Sequence, residues 1–220
     1  MLLGRDGWVQ HRESGVLYGL DVTKCMFSSG NVTERARMGQ ANASGETVVD
    51  LFAGIGYYTL PLLLRAGASK VYACEWNPRA AEALERNIAA NGIADGRCTV
   101  LRGDCRRVAP AGVADRVLLG MLPSSRPAWS TAVRALKAGG GLLHLHENVV
   151  DREEQAWIRS TLSDLERAAM TAGRRWRVAL EHVEHVKWYA PHVRHVVLDV
   201  RCTPRSERAT PPDRSHPDRE

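Results

Sequence analysis

Val48-Val49-Asp50-Leu51-Phe52-Ala53-Gly54-Ile55-Gly56 is the stretch that decides the fold: an apolar strand runs straight into a Gly-x-Gly turn, and a helix over Tyr58–Arg65 follows. Gly54 and Gly56 let the backbone approach a ligand where any Cβ would intrude. A dinucleotide-binding loop would continue to a third glycine at position 59, but that residue is Thr59, so hydride chemistry loses support. Gly-x-Gly alone fits a tight turn equally well, and its weight comes from what surrounds it.

C-terminal to this stretch, apolar strands alternate with amphipathic helices, the pattern of an α/β fold whose mostly parallel sheet is covered on both faces. Strands are expected at Thr47–Leu51, Lys70–Cys74, Cys98–Leu101, Ala114–Leu119 and Gly141–His146, and helices at Tyr58–Arg65, Pro78–Ala90, Arg126–Leu136 and Glu153–Ala172. The second helix is the clearest, with Asn77 as N-cap, Pro78 at the first helical position, Ala81, Leu84 and Ile88 on one face, and Gly92 closing it. Two last strands, Arg177–Val186 and Val193–Arg201, are joined by Trp188-Tyr189-Ala190-Pro191 and should form an antiparallel pair at one edge of the sheet.

N-terminal to the deciding stretch, two β-prone runs around Glu13-Ser14-Gly15 read as a hairpin, and Thr33 is a candidate N-cap for a helix carrying Arg35, Arg37 and Met38. The chain therefore divides into a hairpin and cofactor-lid segment (1–45), a Rossmann-like domain (46–203) and a tail (204–220). The tail has four prolines and no large apolar residue, so disorder is expected there.

The chemistry gathers at the strand tips. Asp50 precedes the glycine turn, Glu75 ends the second strand and Asp104 follows the third. A carboxylate at the second tip accepts hydrogen bonds from a ribose diol, and the third tip is where such a fold reads adenine, so the set suits S-adenosylmethionine. Glu75 could instead cap the helix at Pro78, and Asp104 could be a turn residue.

Composition narrows the field. With 44% hydrophobic and 25% charged residues over 220 positions, one buried core is expected, and no apolar run approaches a membrane span, so no membrane partner is expected. Lys and Arg outnumber Asp and Glu by 30 to 25, and four arginines offset four acids in the tail, so the +5 belongs to the body and favours an anionic partner. The N-terminus lacks the apolar region of a secretory signal, which makes a cytoplasmic location the default. Five scattered cysteines without a Cys-x-x-Cys pair read as reduced thiols.

The run from Asp21-Val22-Thr23-Lys24-Cys25-Met26-Phe27-Ser28 through DLFAGIGYYTLPLLLRAGA, ACEWNP, GDCR and ADRVLLGMLPSS to HLHENV resembles the tRNA wybutosine-synthesizing protein 2 family, a relative of the tRNA guanine-37 N1-methyltransferases. The likeness spans about residues 1–203, including Val186-Lys187-Trp188-Tyr189-Ala190-Pro191-His192-Val193. It implies a class I S-adenosylmethionine-dependent methyltransferase fold, and transfer of the 3-amino-3-carboxypropyl group to C7 of 4-demethylwyosine at position 37 of phenylalanine tRNA, whose anticodon loop is the partner. By motif match it implies that Ser28, Arg35 and Glu75 contact the cofactor, with Asp104 beside the adenine. Arg35 is the candidate partner of the methionyl carboxylate.

After the fourth strand, enzymes that methylate planar nitrogens carry Asn/Asp-Pro-Pro-aromatic. Here the segment is Leu122-Pro123-Ser124-Ser125, which lacks the amide, the second proline and the aromatic and makes Pro123, Ser124 and Ser125 the substrate-side candidates. No catalytic base stands out, although His144, His146 and Glu147 lie near the fifth strand tip. The pairs His182/His185 and His192/His195 suggest a metal site, but i and i+3 point to opposite faces of a strand, so no metal is expected. Arg174-Arg175-Trp176-Arg177 and Lys187-Trp188-Tyr189 are candidates for stacking on loop bases, or simply core tryptophans among solvated charges. Two other functions stay open: a tRNA guanine-37 N1-methyltransferase, and a non-catalytic module that binds S-adenosylmethionine or RNA. Oligomeric state is not legible.

Overall fold

A computed structural model describes residues 7–205. The hairpin is β1 (Trp8–Glu13) and β2 (Val16–Asp21), turned by Ser14 and Gly15 at φ +49° and +82°, the paired positive angles a two-residue connection needs. Helix α1 (Val32–Gln40) follows a short 3₁₀ turn at Ser29–Asn31. Its N-cap position is Asn31, so the expected cap Thr33 lies inside the helix.

The sheet is built from β3 (Thr47–Asp50), β4 (Lys70–Glu75), β5 (Cys98–Arg102), β6 (Arg116–Leu119), β7 (Gly141–Val150), β8 (Trp176–Ala190) and β9 (Val193–Pro204). Between them run α2 (Thr59–Leu64), α3 (Pro78–Ala90), α4 (Cys105–Val108), α5 (Trp129–Ala135) and α6 (Glu154–Thr171). The strand order is β5-β4-β3-β6-β7-β9-β8, parallel through β7, with β9 antiparallel to both β7 and β8. The chain steps outward from β3 to β5, then returns to β6, so the strand order reverses between β3 and β6. Ligands of such sheets bind at the carboxyl ends beside that reversal.

Most expected elements occur, with shifted ends. β7 runs four residues past His146 because β9 pairs with it out to Val150. Trp188 to Ala190 belong to β8 rather than to a connection, and the turn falls at Pro191 and His192. Ala114 is only bridged to Leu136, ahead of β6. α4, four residues long, is too short to show a helical period in the sequence. Of the tail, Pro204 completes β9; residues 206–220 lie outside the described residues.

Two apolar clusters cover the sheet. On one face Leu143, Leu145, Val149, Val196, Leu198 and Val200 pack with α5 and α6. On the other, the leading segment set apart at 1–45 puts Val16, Tyr18, Leu20 and Met38 into one cluster with α2 and α3. Two amides, one on α3 and one at its C-cap, hold the hairpin as a neighbouring strand would. Asn87 exchanges hydrogen bonds with Gly19 (N–H to Oδ1 2.7 Å, Nδ2 to O 3.0 Å), and Asn91 does the same with Leu17 (2.9 and 2.7 Å). No helix among the described residues is long and apolar enough to cross a membrane.

Candidate functional site

The site begins with the glycine turn. Gly54 and Gly56 adopt φ +56° and +103°, the left-handed region that favours glycine. A Cβ on Gly56 would press within 2.8 Å of Leu60 Cγ and Leu84 Cδ1, so packing against α2 and α3 also calls for glycine here. Gly54 N–H is free of the helix and donates to Glu75 Oε2 at 2.8 Å. Glu75 Oε1 accepts Asn77 N–H at 2.7 Å. One carboxylate thus clamps the turn to the entrance of α3, and each oxygen keeps a lone pair for a further donor. The cap of α3 is Asn77, whose Oδ1 accepts Arg79 N–H at 3.0 Å.

Asp50 faces inward. It is fully buried and accepts the Thr59 hydroxyl at 2.8 Å and Phe52 N–H at 3.3 Å. Burial pushes its carboxyl up to about 6, against the pull of Thr59. Thr59, standing where a dinucleotide loop has glycine, therefore tethers α2 to the tip of β3, and Asp50 shapes the turn instead of meeting a ligand.

Asp104 caps α4, accepting Arg106 N–H at 2.9 Å and pairing with the Arg106 guanidinium at 2.6 Å, which holds its carboxyl down to about 2. Glu75 and Asp104 line one cleft of about 290 Å³ with Phe52, Trp76, Cys105 and Ser124. Trp76, which the sequence reading passed over, is 78% exposed there. An indole one residue beyond a strand-tip carboxylate was the signal that could have found it.

Ser28 and Arg35 come together, but not as expected. Arg35 is 2% exposed, paired through Nε and Nη2 with both Glu13 oxygens at 2.7 Å, and its Nη1 donates to Ser28 O at 2.6 Å. The guanidinium also lies 5.2 Å from the Phe27 ring and 5.7 Å from that of Tyr57. The carboxylate Arg35 holds is that of Glu13, so its pairing with a methionyl carboxylate is not what this structure shows. A missed residue, Tyr57, joins this segment to the glycine turn: its hydroxyl donates to Met26 O at 2.7 Å and accepts Ser28 N–H at 3.0 Å.

Leu122-Pro123-Ser124-Ser125 divides. Ser124 lines the cleft and Pro123 is exposed, whereas Ser125 is buried and accepts Trp129 Nε1–H at 3.2 Å, which makes it a packing residue. Ser124 bridges to Glu147, whose carboxyl burial raises.

The face of β7 and β9 toward α1 is polar. His144 Nε2 lies 2.7 Å from Arg116 Nη1, which can only donate, so His144 is neutral with its proton on Nδ1, 2.6 Å from Asp199. Asp199 also accepts Arg37 Nη1 at 2.6 Å, and against the effect of burial these donors hold its carboxyl far below the usual range. Arg37 turns its other nitrogens to Glu34, a fully buried acid whose carboxyl burial raises against Arg37. Glu34 Oε1 lies 4.0 Å from His146 Nε2, and His146 Nδ1 lies 3.0 Å from His195 Nε2. Three of the four histidines of the apparent metal pairs find separate partners: His182 meets Glu184, His185 meets Glu154, and His195 meets His146. No group of three metal-binding side chains occurs among the described residues. Trp176 is core, bonded to Ala138 O at 3.2 Å, while Trp188 and Tyr189 are exposed.

Residues 9–178 match the family described as the TRM5/TYW2 methyltransferase domain. The chain is 57% identical over 202 residues to a "tRNA wybutosine-synthesizing protein 2/3/4" of Oryza sativa subsp. japonica, covering 92% of this chain and 19% of that protein. It is similar to M. jannaschii TYW2 in complex with AdoMet (TM-score 0.80, 36% identity, 93% of this chain and 90% of that one). It is also similar to P. horikoshii TYW2 in complex with MeSAdo (TM-score 0.79, 35% identity, 92% and 74%). The chain spans about a fifth of the length of the plant relative it matches.

Proposed function

The chain belongs to the TRM5/TYW2 methyltransferase domain family, and from that premise we propose that it is an S-adenosylmethionine-dependent tRNA aminocarboxypropyltransferase. Its reaction transfers the 3-amino-3-carboxypropyl group to C7 of 4-demethylwyosine at position 37 in the anticodon loop of phenylalanine tRNA, a step of wybutosine biosynthesis in the cytoplasm. The residues present fit the cofactor's nucleoside: Glu75 offers free lone pairs, Trp76 an exposed indole face and Asp104 a polar tip around one cleft. Ser28 and Arg35 serve this site through the turn they share, Arg35 fixing the Ser28 carbonyl and Tyr57 tying it to the glycine turn. Asp50, Gly54 and Gly56 set the shape of that turn.

When bound, S-adenosylmethionine supplies a sulfonium whose aminocarboxypropyl carbon accepts the new bond from C7 while the broken S–C pair stays on sulfur as a neutral thioether and the C7 proton leaves. What the protein adds is chiefly the choice of which carbon faces the nucleophile, because a sulfonium activates all three of its substituents. The observation that carries the proposal is the Leu122-Pro123-Ser124-Ser125 segment at the rim of the cleft: it offers Ser124 where nitrogen methyltransferases present an amide oxygen and an aromatic ring. That favours the carbon transfer over guanine-37 N1-methylation. The test uses tRNA bearing 4-demethylwyosine with cofactor labelled either in the carboxyl carbon or in the methyl. Carboxyl label in the tRNA is the expected result; methyl label would make the chain a methyltransferase, and cofactor binding without label a module that only binds.

A further inference from the structure

Seven buried side-chain nitrogen and oxygen atoms lack a hydrogen-bond partner among the described residues, and five of them lie together: Asn31 Oδ1, His146 Nε2, both polar atoms of Asn148, and His195 Nδ1. Asn31 Nδ2 reaches the Tyr58 hydroxyl at 3.5 Å, the Tyr58 ring is 5.2 Å from that of His146, and His146 is bonded to His195. Asn148 stands directly opposite His195 across β7 and β9, and Lys187 stands opposite His195 across β8 and β9. Asn148 N–H donates to Pro123 O at 2.9 Å. A polar row therefore crosses the carboxyl end of the sheet from Lys187 to the substrate-side segment.

Such a row costs stability. A buried polar group without a partner is unfavourable, and an apolar side chain of the same size would serve packing better. The opposite face of the same strands is filled in that way by Leu145, Val149 and Val196. Burial lowers the affinity of His146 and His195 for protons, so the two histidines and Asn148 offer neutral donors and acceptors side by side. That chemistry suits the edge of a planar heterocycle and not a phosphate. Its roof is the Ser29–Asn31 turn, which has no buried residue, with the Lys187 ammonium laid against Gly30; Lys187 has no carboxylate partner among the described residues.

We infer that this row is the subsite that reads the hydrogen-bonding edge of the target base, with Asn148 supplying both a donor and an acceptor and with Asn31 and His195 flanking it. The inference rests on the proposed function and names its specificity determinant. Asn148→Leu replaces the amide with an apolar group of similar size. The expected result is a melting temperature equal to or above that of the wild type and S-adenosylmethionine affinity within about twofold. Transfer efficiency should fall about 30-fold, with a similar loss of preference for tRNA carrying 4-demethylwyosine over the same tRNA with guanine. Asn148→Asp, which keeps acceptors in place, recovers part of that preference. A leucine variant that transfers and discriminates as the wild type does overturns the subsite and leaves the amide as a site for internal water. A wild-type protein that transfers nothing counts against the proposed function instead, and the binding preference between the two tRNAs, measured without turnover, still decides the subsite.

Discussion

The two faces of β7 and β9 carry opposite chemistry on the same backbone. Toward α5 and α6, Leu143, Leu145, Val149, Val196, Leu198 and Val200 form a continuous apolar layer. Toward α1, the alternate positions are His144, His146 and Asn148 on β7 and His195, Val197 and Asp199 on β9, polar except for Val197 and nearly all buried. The polar face itself divides along the strands. Near β6 every group is satisfied, in a chain running Glu46–Arg116–His144–Asp199–Arg37–Glu34. Near the carboxyl end, one ring nitrogen of each of His146 and His195 and both polar atoms of Asn148 have no partner among the described residues. The apolar face and the satisfied half hold the fold; the half with unpartnered groups borders the candidate site, which is where proteins tolerate such costs.

The largest effect that sharpens this comparison belongs to the apolar face. Leu198→Ala, at a position with no exposed surface, should cost about 3–5 kcal/mol in chemical denaturation while the surviving folded fraction binds S-adenosylmethionine normally. Next comes the satisfied half: Arg37→Ala leaves Glu34 and Asp199 as buried acids without their shared partner and should cost about 3 kcal/mol, read by the same titration. If Arg37→Ala were as stable as the wild type, the ionic chain would not be a structural brace.

A pH series separates the orphaned half. Burial, helped by the Lys187 charge, lowers His195 from its ordinary 6.5 to about 4. Between these values the unfolded chain binds more protons than the folded one, so this residue makes stability fall as pH drops through that window. Asp50 acts with the opposite sign, since its carboxyl sits at about 6 in the fold against an ordinary 3.8. The difference between variant and wild type isolates the histidine: His195→Gln should show a shallower loss of melting temperature between pH 6.5 and 4, and an unchanged slope would contradict its buried neutral state. The smallest effect lies outside both faces, in the cleft. Trp76→Ala should weaken S-adenosylmethionine binding by about tenfold in calorimetry and leave stability untouched, because the indole is exposed and packs on nothing in the core.

Much of this was legible in the sequence, and the misses have a common physical cause. The alternation of strands and helices, the glycine turn and the strand-tip acids follow from periodicity and spacing, which are local. The α3 cap at Asn77 and Pro78 is local as well, and occurs as read. What spacing does not encode is the partner a side chain finds across the fold. Asp50 and Glu75 look alike as strand-tip carboxylates, yet one turns inward to Thr59 and the other outward to Gly54 N–H and the cleft. Arg35 is 22 residues from the Glu13 it grips, and Asn87 is 68 from the Gly19 it holds. His144 and His146 read as alternating polar residues on a strand tip, but whether each is satisfied depended on Arg116, Asp199 and His195, none of them adjacent in sequence.

If the cleft presents the aminocarboxypropyl carbon to the target base, as proposed, the nucleoside co-product differs from that of methyl transfer. Chromatography of the nucleoside co-product during turnover on tRNA bearing 4-demethylwyosine tests it most directly, because the leaving group records which bond broke. The expected co-product is 5′-methylthioadenosine, formed one-for-one with modified tRNA. S-Adenosylhomocysteine in that stoichiometry would contradict it.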